Sequence, residues 1–200
     1  MTTHDRQADH TSGQGNPVAL PSVSRGRAHE KGRTRMGMSV TTTVATEHDA
    51  ERILKLQYLC YQGEAELYGD WNIEPLTQSL DSLRTELKER HVLVARLGEE
   101  VVGSVRGWVD ADGVGRIGRL CVHPRMQRHG LGSRLLRAME TRLANEAHVV
   151  AYRLFTGHRS VGNLRLYQRL GYRPTEVEEV NSKLSFISLE KRVDDLAVSA

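Results

Sequence analysis

The segment Leu120-Cys121-Val122-His123-Pro124-Arg125-Met126-Gln127-Arg128-His129-Gly130-Leu131-Gly132-Ser133-Arg134-Leu135-Leu136 reads as an apolar strand closed by a proline, a Gln-x-x-Gly-x-Gly turn and the start of an amphipathic helix. The first turn of a helix leaves backbone N–H groups without intrahelical partners, and the macrodipole adds partial positive charge there. Glycine at 130 and 132 removes the Cβ atoms that would hold a pyrophosphate away from those donors. The spacing excludes two other phosphate loops. There is no Gly-Lys-Ser/Thr ending, and neither the third glycine nor the downstream acid of a dinucleotide fingerprint.

On these residues the chain resembles the GNAT superfamily of acyl-CoA-dependent N-acyltransferases. In that family a strand ending in Val-x-Pro precedes Gln/Arg-x-x-Gly-x-Gly/Ala, matched here by Val122-His123-Pro124 and Gln127 to Gly132. A second block, Asn163-Leu164-Arg165-Leu166-Tyr167-Gln168-Arg169-Leu170-Gly171-Tyr172, is similar to the family's Asn-x-x-x-Tyr-x-x-x-Gly-Phe/Tyr segment. The resemblance spans residues 39–193 and is most specific over 117–172. It implies acetyl-CoA as co-substrate, without a metal. The coenzyme would lie along Leu120, Cys121, Val122, Gln127, Arg128, His129, Gly130, Leu131, Gly132 and Ser133, with Asn163 either capping its helix or meeting the pantetheine amides.

The order of elements agrees. A β-branched strand at Val40–Val44 is followed by a helix from about Asp49, with Gly63 as a weak point. After a break at residues 70–75, Thr77 is a candidate cap for a second helix. Strands are expected at residues 92–95, 101–109 and 116–122, with a hairpin turn at Asp110–Gly113. A helix over 131–146, a strand over 148–155, a helix over 161–170 stopped by Gly171, and strands over 172–177 and 183–190 complete the chain. The expected class is therefore α/β (α+β), order βααβββαβαββ. It is a GNAT-like mixed, mostly antiparallel sheet with helices on both faces and splayed central parallel strands. Within the strand before the loop, apolar alternation slips once between Ile117 and Leu120, which a β-bulge at Gly118 would absorb. In the resembled family a bulge here parts two parallel strands and admits the pantetheine arm.

Two hundred residues provide one core of ordinary size. No apolar run approaches the roughly 20 residues of a membrane span, and no signal-peptide pattern opens the chain. Cys60 and Cys121, the two cysteines, fall in apolar periodic segments and read as reduced core thiols of a cytoplasmic protein. Residues 1–37 hold six Lys/Arg against Asp5, Asp9 and Glu30, a surplus of three that accounts for the whole chain's +3. They lack apolar periodicity and cannot offset their ordering entropy by burial. They are expected to form a disordered basic leader before a GNAT-like domain at 38–200, with Met36 and Met38 as alternative starts. Nucleic acid is not an expected partner, because no aromatics are interleaved with these charges, and a membrane is not one either. Deleting residues 1–37 is expected to leave melting temperature and acetyl-CoA affinity unchanged. A large loss of melting temperature on deletion would show that they pack on the domain.

Acyl transfer to an amine needs a neutral nucleophile. An alkylammonium of pKa about 10.4 is free amine in roughly one molecule in 2,500 at pH 7, so a base helps. Many members of the resembled family carry a glutamate on the strand before the loop. Here Arg116 and Arg119 are its charged residues, and the base is sought in Glu64, with Glu66 and His158 as other options. Tyr61, Glu64 and Tyr68 share a helical face by their spacing. The resemblance implies Tyr167 as general acid to the leaving thiolate, and Arg125, Arg128 or Arg134 can meet the outer phosphate. The expected reaction is direct acetyl transfer in a ternary complex, by a monomer or homodimer. The acidic, aromatic segment from Tyr61 to Trp71 favours a small cationic amine as acceptor. Transfer to protein or peptide amines, and acyl-CoA binding without turnover, are the alternatives.

Overall fold

A computed structural model describes residues 39–194. The leader expected over 1–37 lies outside the described residues. From β1 (Val40–Val44) the chain enters α1 (Ala50–Tyr68), α2 (Glu74–Thr77) and α3 (Leu80–Glu89). The hairpin strands β2 (His91–Leu97), β3 (Glu100–Val109) and β4 (Val114–Val122) follow, and β4 feeds α4 (Leu131–Glu146). Strand β5 (Ala151–Gly157), helix α5 (Val161–Arg169), and strands β6 (Arg173–Glu179) and β7 (Ser185–Arg192) close the domain. The sheet order is β1-β2-β3-β4-β5-β7-β6. All its neighbours are antiparallel except β4 and β5. The mixed, mostly antiparallel architecture and the order of its elements are those expected, with one short helix added.

Period-2 alternation places a core on each face of the sheet. Val92 and Val94 point to α1 and α3, where they bury Ile53, Leu56 and Leu83. Leu93 and Ala95 point the other way, onto Leu135, Leu136, Met139 and Leu143 of α4. At residues 103 and 107, a Cβ would come within 2.8 Å of Leu135 and Met139 respectively, so α4 lies directly on β3. A buried polar anchor fixes α4 further. Glu140 accepts from Tyr172 Oη at 2.7 Å and from Lys191 Nζ at 2.7 Å, tying the helix to the end of α5 and to β7.

Local expectations shift at three places. Helix α1 runs unbroken through Gly63 to Tyr68, and Gly69 ends it at φ +65°. Ser79, not Thr77, caps the second long helix, accepting from Ser82 N–H at 3.1 Å. Thr77 instead closes the short α2, its hydroxyl donating to the Glu74 carbonyl at 3.4 Å. Finally, β5 begins at Ala151 rather than His148, after Val150 N–H has bonded across to Gly113 O at 3.0 Å. No helix among the described residues is long and apolar enough to cross a membrane.

Candidate active site

Strands β4 and β5 pair only over Val114–Arg116 and Ala151–Arg153, then part. The parting follows from the bulge. Ser104 faces Cys121 and Arg106 faces Gly118, so Arg119 and Leu120 stand together opposite Val105. The phase slip is therefore real but lies one residue later than expected. Arg119, not Gly118, takes the left-handed conformation, at φ +51°. That costs a non-glycine residue about 1–2 kcal/mol, a strain the surrounding packing must hold in place.

At one mouth of the gap, Pro124–Met126 forms a single 3-10 turn, followed by Arg128 at φ +65° and Gly130 at φ +76°. Gln127 braces the turn, donating from Nε2 to the Val122 carbonyl at 3.1 Å. The first helical bond of α4 is Arg134 N–H to Gly130 O at 3.1 Å. Among the described residues the N–H groups of residues 128–133 donate to nothing, which leaves six consecutive donors at a helix N-terminus. A Cβ on Gly132 would stand 3.4 Å from Leu166 and 3.8 Å from Val122, in the space between the end of β4 and α5. Of the three arginines considered for the outer phosphate, Arg125 pairs with Glu100 and Arg134 donates to the Val40 carbonyl at 3.0 Å. Arg128 is exposed and makes no ion pair among the described residues.

Helices α1 and α5 and strand β4 bring Glu64, Arg119, Cys121 and Tyr167 close to Tyr61. Burial, then the nearby Glu64 and Cys121, push the Tyr167 phenol well above its ordinary value. Tyr61 is raised too, by burial first and then by Cys121 and Glu64 against the opposing pull of Arg119. Glu64 is oriented from α5: Ser160 Oγ donates to its Oε1 at 2.8 Å, and Asn163 Nδ2 does so at 3.4 Å. Asn163 also donates to Thr156 Oγ1 at 3.4 Å. It sits in the first turn of α5 rather than at the cap, which is Ser160. Cys121 is buried, and contact with Cys60 and burial push its thiol well up, which leaves it a packed core thiol rather than a nucleophile. Both cysteines are free.

Other expected residues serve the scaffold. Tyr68 is buried, and its hydroxyl accepts from Arg159 N–H at 2.8 Å. A Cβ at position 157 would lie 2.3 Å from that hydroxyl, so Gly157 lets the loop before α5 settle on it. His158 is tied to Ser185, whose N–H donates to Nδ1 at 3.1 Å. Glu66 is exposed, and Asp70 accepts from Asn72 N–H at 2.9 Å in its own turn. Of the acids between Tyr61 and Trp71, Glu64 alone reaches the cluster.

Sequence reasoning missed Ser160, and it assigned no part to Arg119. Burial would lower the Arg119 guanidinium, but Glu74 and Tyr61 outweigh it and hold it above its ordinary value. Glu74, on α2, meets Arg119 Nη2 at 2.5 Å, which in turn holds that carboxyl below its ordinary value. No local sequence signal reports a positive φ at an arginine.

The geometry has counterparts among solved structures. The chain is similar to the PaiA N-acetyltransferase from Thermoplasma acidophilum in complex with coenzyme A, at 17% identity and TM-score 0.65, covering 78% of this chain and 99% of that one. It is similar to YncA from Salmonella typhimurium with its cofactor acetyl-CoA, at 17% identity and TM-score 0.63, over 78% and 95% of the two chains. The ribosomal-protein-S18-alanine N-acetyltransferase from Escherichia coli is 14% identical with TM-score 0.63, over 78% and 94%. At these identities the likeness is one of fold. A search of curated proteins finds no match. Residues 50–172, over half of the chain, match the model of the acetyltransferase (GNAT) family, and the protein belongs to that family.

Proposed function

We propose that the protein is an N-acetyltransferase that moves an acetyl group from acetyl-CoA to the primary amine of a small acceptor by direct attack in a ternary complex. The parted β4 and β5 carry this reading, because they join a row of six unpartnered N–H donors to an oriented carboxylate and a buried phenol. The donors of residues 128–133 fit a pyrophosphate, with no side chain at Gly130 and Gly132 to hold it off and Arg128 at the outer phosphate. When bound, acetyl-CoA supplies a thioester whose C–S bond breaks as the acceptor nitrogen bonds to the acetyl carbon.

The chain's own residues handle position and protons. Glu64, fixed by Ser160 and Asn163, takes the acceptor's proton directly or through water. Tyr167 Oη gives the departing sulfur its proton and regains one from solvent. One proton leaves the nitrogen, one reaches the sulfur, and the acetyl group has changed partners.

Thiol release from acetyl-CoA, screened against polyamines, aminoglycosides, amino acids and short peptides, tests the reading. Sustained release with one class is expected. Tight acetyl-CoA binding without release on any amine would instead support a sensor. The raised Tyr167 phenol also implies a pH profile for this reading. A phenol raised above its ordinary pKa of about 10 stays protonated throughout the neutral range and beyond. On a chemistry-limited acceptor, kcat/KM is therefore expected to rise with pH as the ammonium is lost, with no falling limb below about pH 10. A fall centred near pH 8 in folded enzyme would assign the acid to another group.

A further inference from the structure

The geometry points to a carboxylate on the acceptor: the substrate is an amino acid or a similar small amine–acid, gripped through its anionic end by Arg119. This deepens the acetyltransferase reading and rests on it. The bulge is the first ground. Gly118 could take a positive φ freely, yet Arg119 takes it, and bulges beside active sites re-aim side chains. The result brings the guanidinium against Tyr61, the residue that also senses Glu64.

The second ground is the mismatch within its ion pair. The Arg119 side chain is 18% exposed, whereas that of Glu74 is 72% exposed and reaches in from a four-residue helix. So exposed a carboxylate adds little stability to the pair and can be exchanged for another. An incoming carboxylate finds a mostly buried, planar fork suited to two parallel hydrogen bonds. Glu74 thus marks the position a substrate carboxylate would take.

Neighbouring cations are already engaged. Arg106 is buried, with Nη1 on Glu86 and on Gln78 at 3.1 Å, and Nη2 on Gln57 at 2.5 Å. Arg90, which also acts on Glu74, lies over the Trp108 ring at 4.2 Å from its centroid. A cation and an anion that both act on Tyr61 complement the two charges of an amino acid, with the ammonium toward Glu64 and the carboxylate toward Arg119.

Thiol release is compared for the proteinogenic amino acids and their carboxamides. At least one acid is expected to exceed its carboxamide in kcat/KM by about tenfold or more, the scale of a hydrogen bond to a charged group. Arg119→Asn keeps a residue that tolerates the left-handed backbone. It is expected to abolish that preference, acting on KM more than on kcat, with acetyl-CoA affinity unchanged. Glu74→Gln removes the competing carboxylate and should lower KM for the acid but not for the carboxamide, a test that stands even if the arginine variant misfolds. A preference for carboxamides, or one that survives in folded Arg119→Asn, overturns the assignment. So does a KM for the acid that Glu74→Gln leaves unchanged. Calorimetric binding of N-acetyl amino acids to the CoA-loaded protein separates the two readings. Arg119-dependent binding without turnover on any amine would overturn the acetyltransferase reading and leave the carboxylate site standing, whereas turnover restricted to amines lacking an acid group would do the reverse.

Discussion

Gly132→Val is expected to lower CoA affinity by at least about a hundredfold, or 2.8 kcal/mol at 1.4 kcal/mol per decade, in a domain that remains folded. Position 132 shows no positive φ, and a Cβ there meets only ordinary contacts, the nearest being 3.4 Å to Leu166. Valine in the first turn of α4 replaces a residue that costs helices roughly 1 kcal/mol, so helix propensity gives no reason for glycine. Its added methyl groups extend beyond a Cβ that already touches Leu166, Val122 and Leu120, beside six unpartnered donors. A pyrophosphate approaching those donors would meet the same methyl groups, and the affinity measurement tests that encounter. Gly130 differs, because nothing lies within 4 Å of its would-be Cβ but its φ is +76°. Calorimetric titration with CoA, alongside thermal melting, measures the effect. Wild-type affinity in a folded Gly132→Val protein would remove the loop from the cofactor site.

What the sequence disclosed depended on the range of each interaction. The glycine turn and the helix it opens are local, and α4 begins at Leu131 and ends at Glu146 as its pattern indicates. The alternation of β4 also announced its bulge, since Ile117 and Leu120 could not otherwise face one core. Which residue absorbs the bulge was hidden. Glycine is the intrinsic choice for a positive φ, and Arg119 overrides that preference through packing against Tyr61 and Glu74. Long-range pairs were hidden as well. Ser160 and Glu64 stand 96 residues apart, and Arg159 and Tyr68 stand 91 apart. Helical spacing grouped Tyr61, Glu64 and Tyr68 on one face, but it could not show that the face divides between the cleft and the loop before α5.

Tyr167→Phe keeps the ring and its packing on Tyr172, at 6.2 Å between centroids, and removes only the hydroxyl. That hydroxyl donates to no other described residue, so its loss leaves no partner unsatisfied and should cost little stability. If it protonates the departing thiolate, turnover should fall by about 10²–10⁴-fold, the usual scale for a positioned acid. The raised phenol makes this a demanding role. Burial and Glu64 keep the proton in place, and they also make it harder to give up, so transfer must be driven at short range by the charge that develops on sulfur as the C–S bond breaks. The Michaelis constant should move little, because the lost interaction belongs to the transition state, and CoA affinity should be unchanged. A phenylalanine variant that kept more than about a third of wild-type turnover on a chemistry-limited acceptor would place the barrier difference under about 0.7 kcal/mol. Solvent would then be the proton source, and Tyr167 a packing residue beneath the thioester.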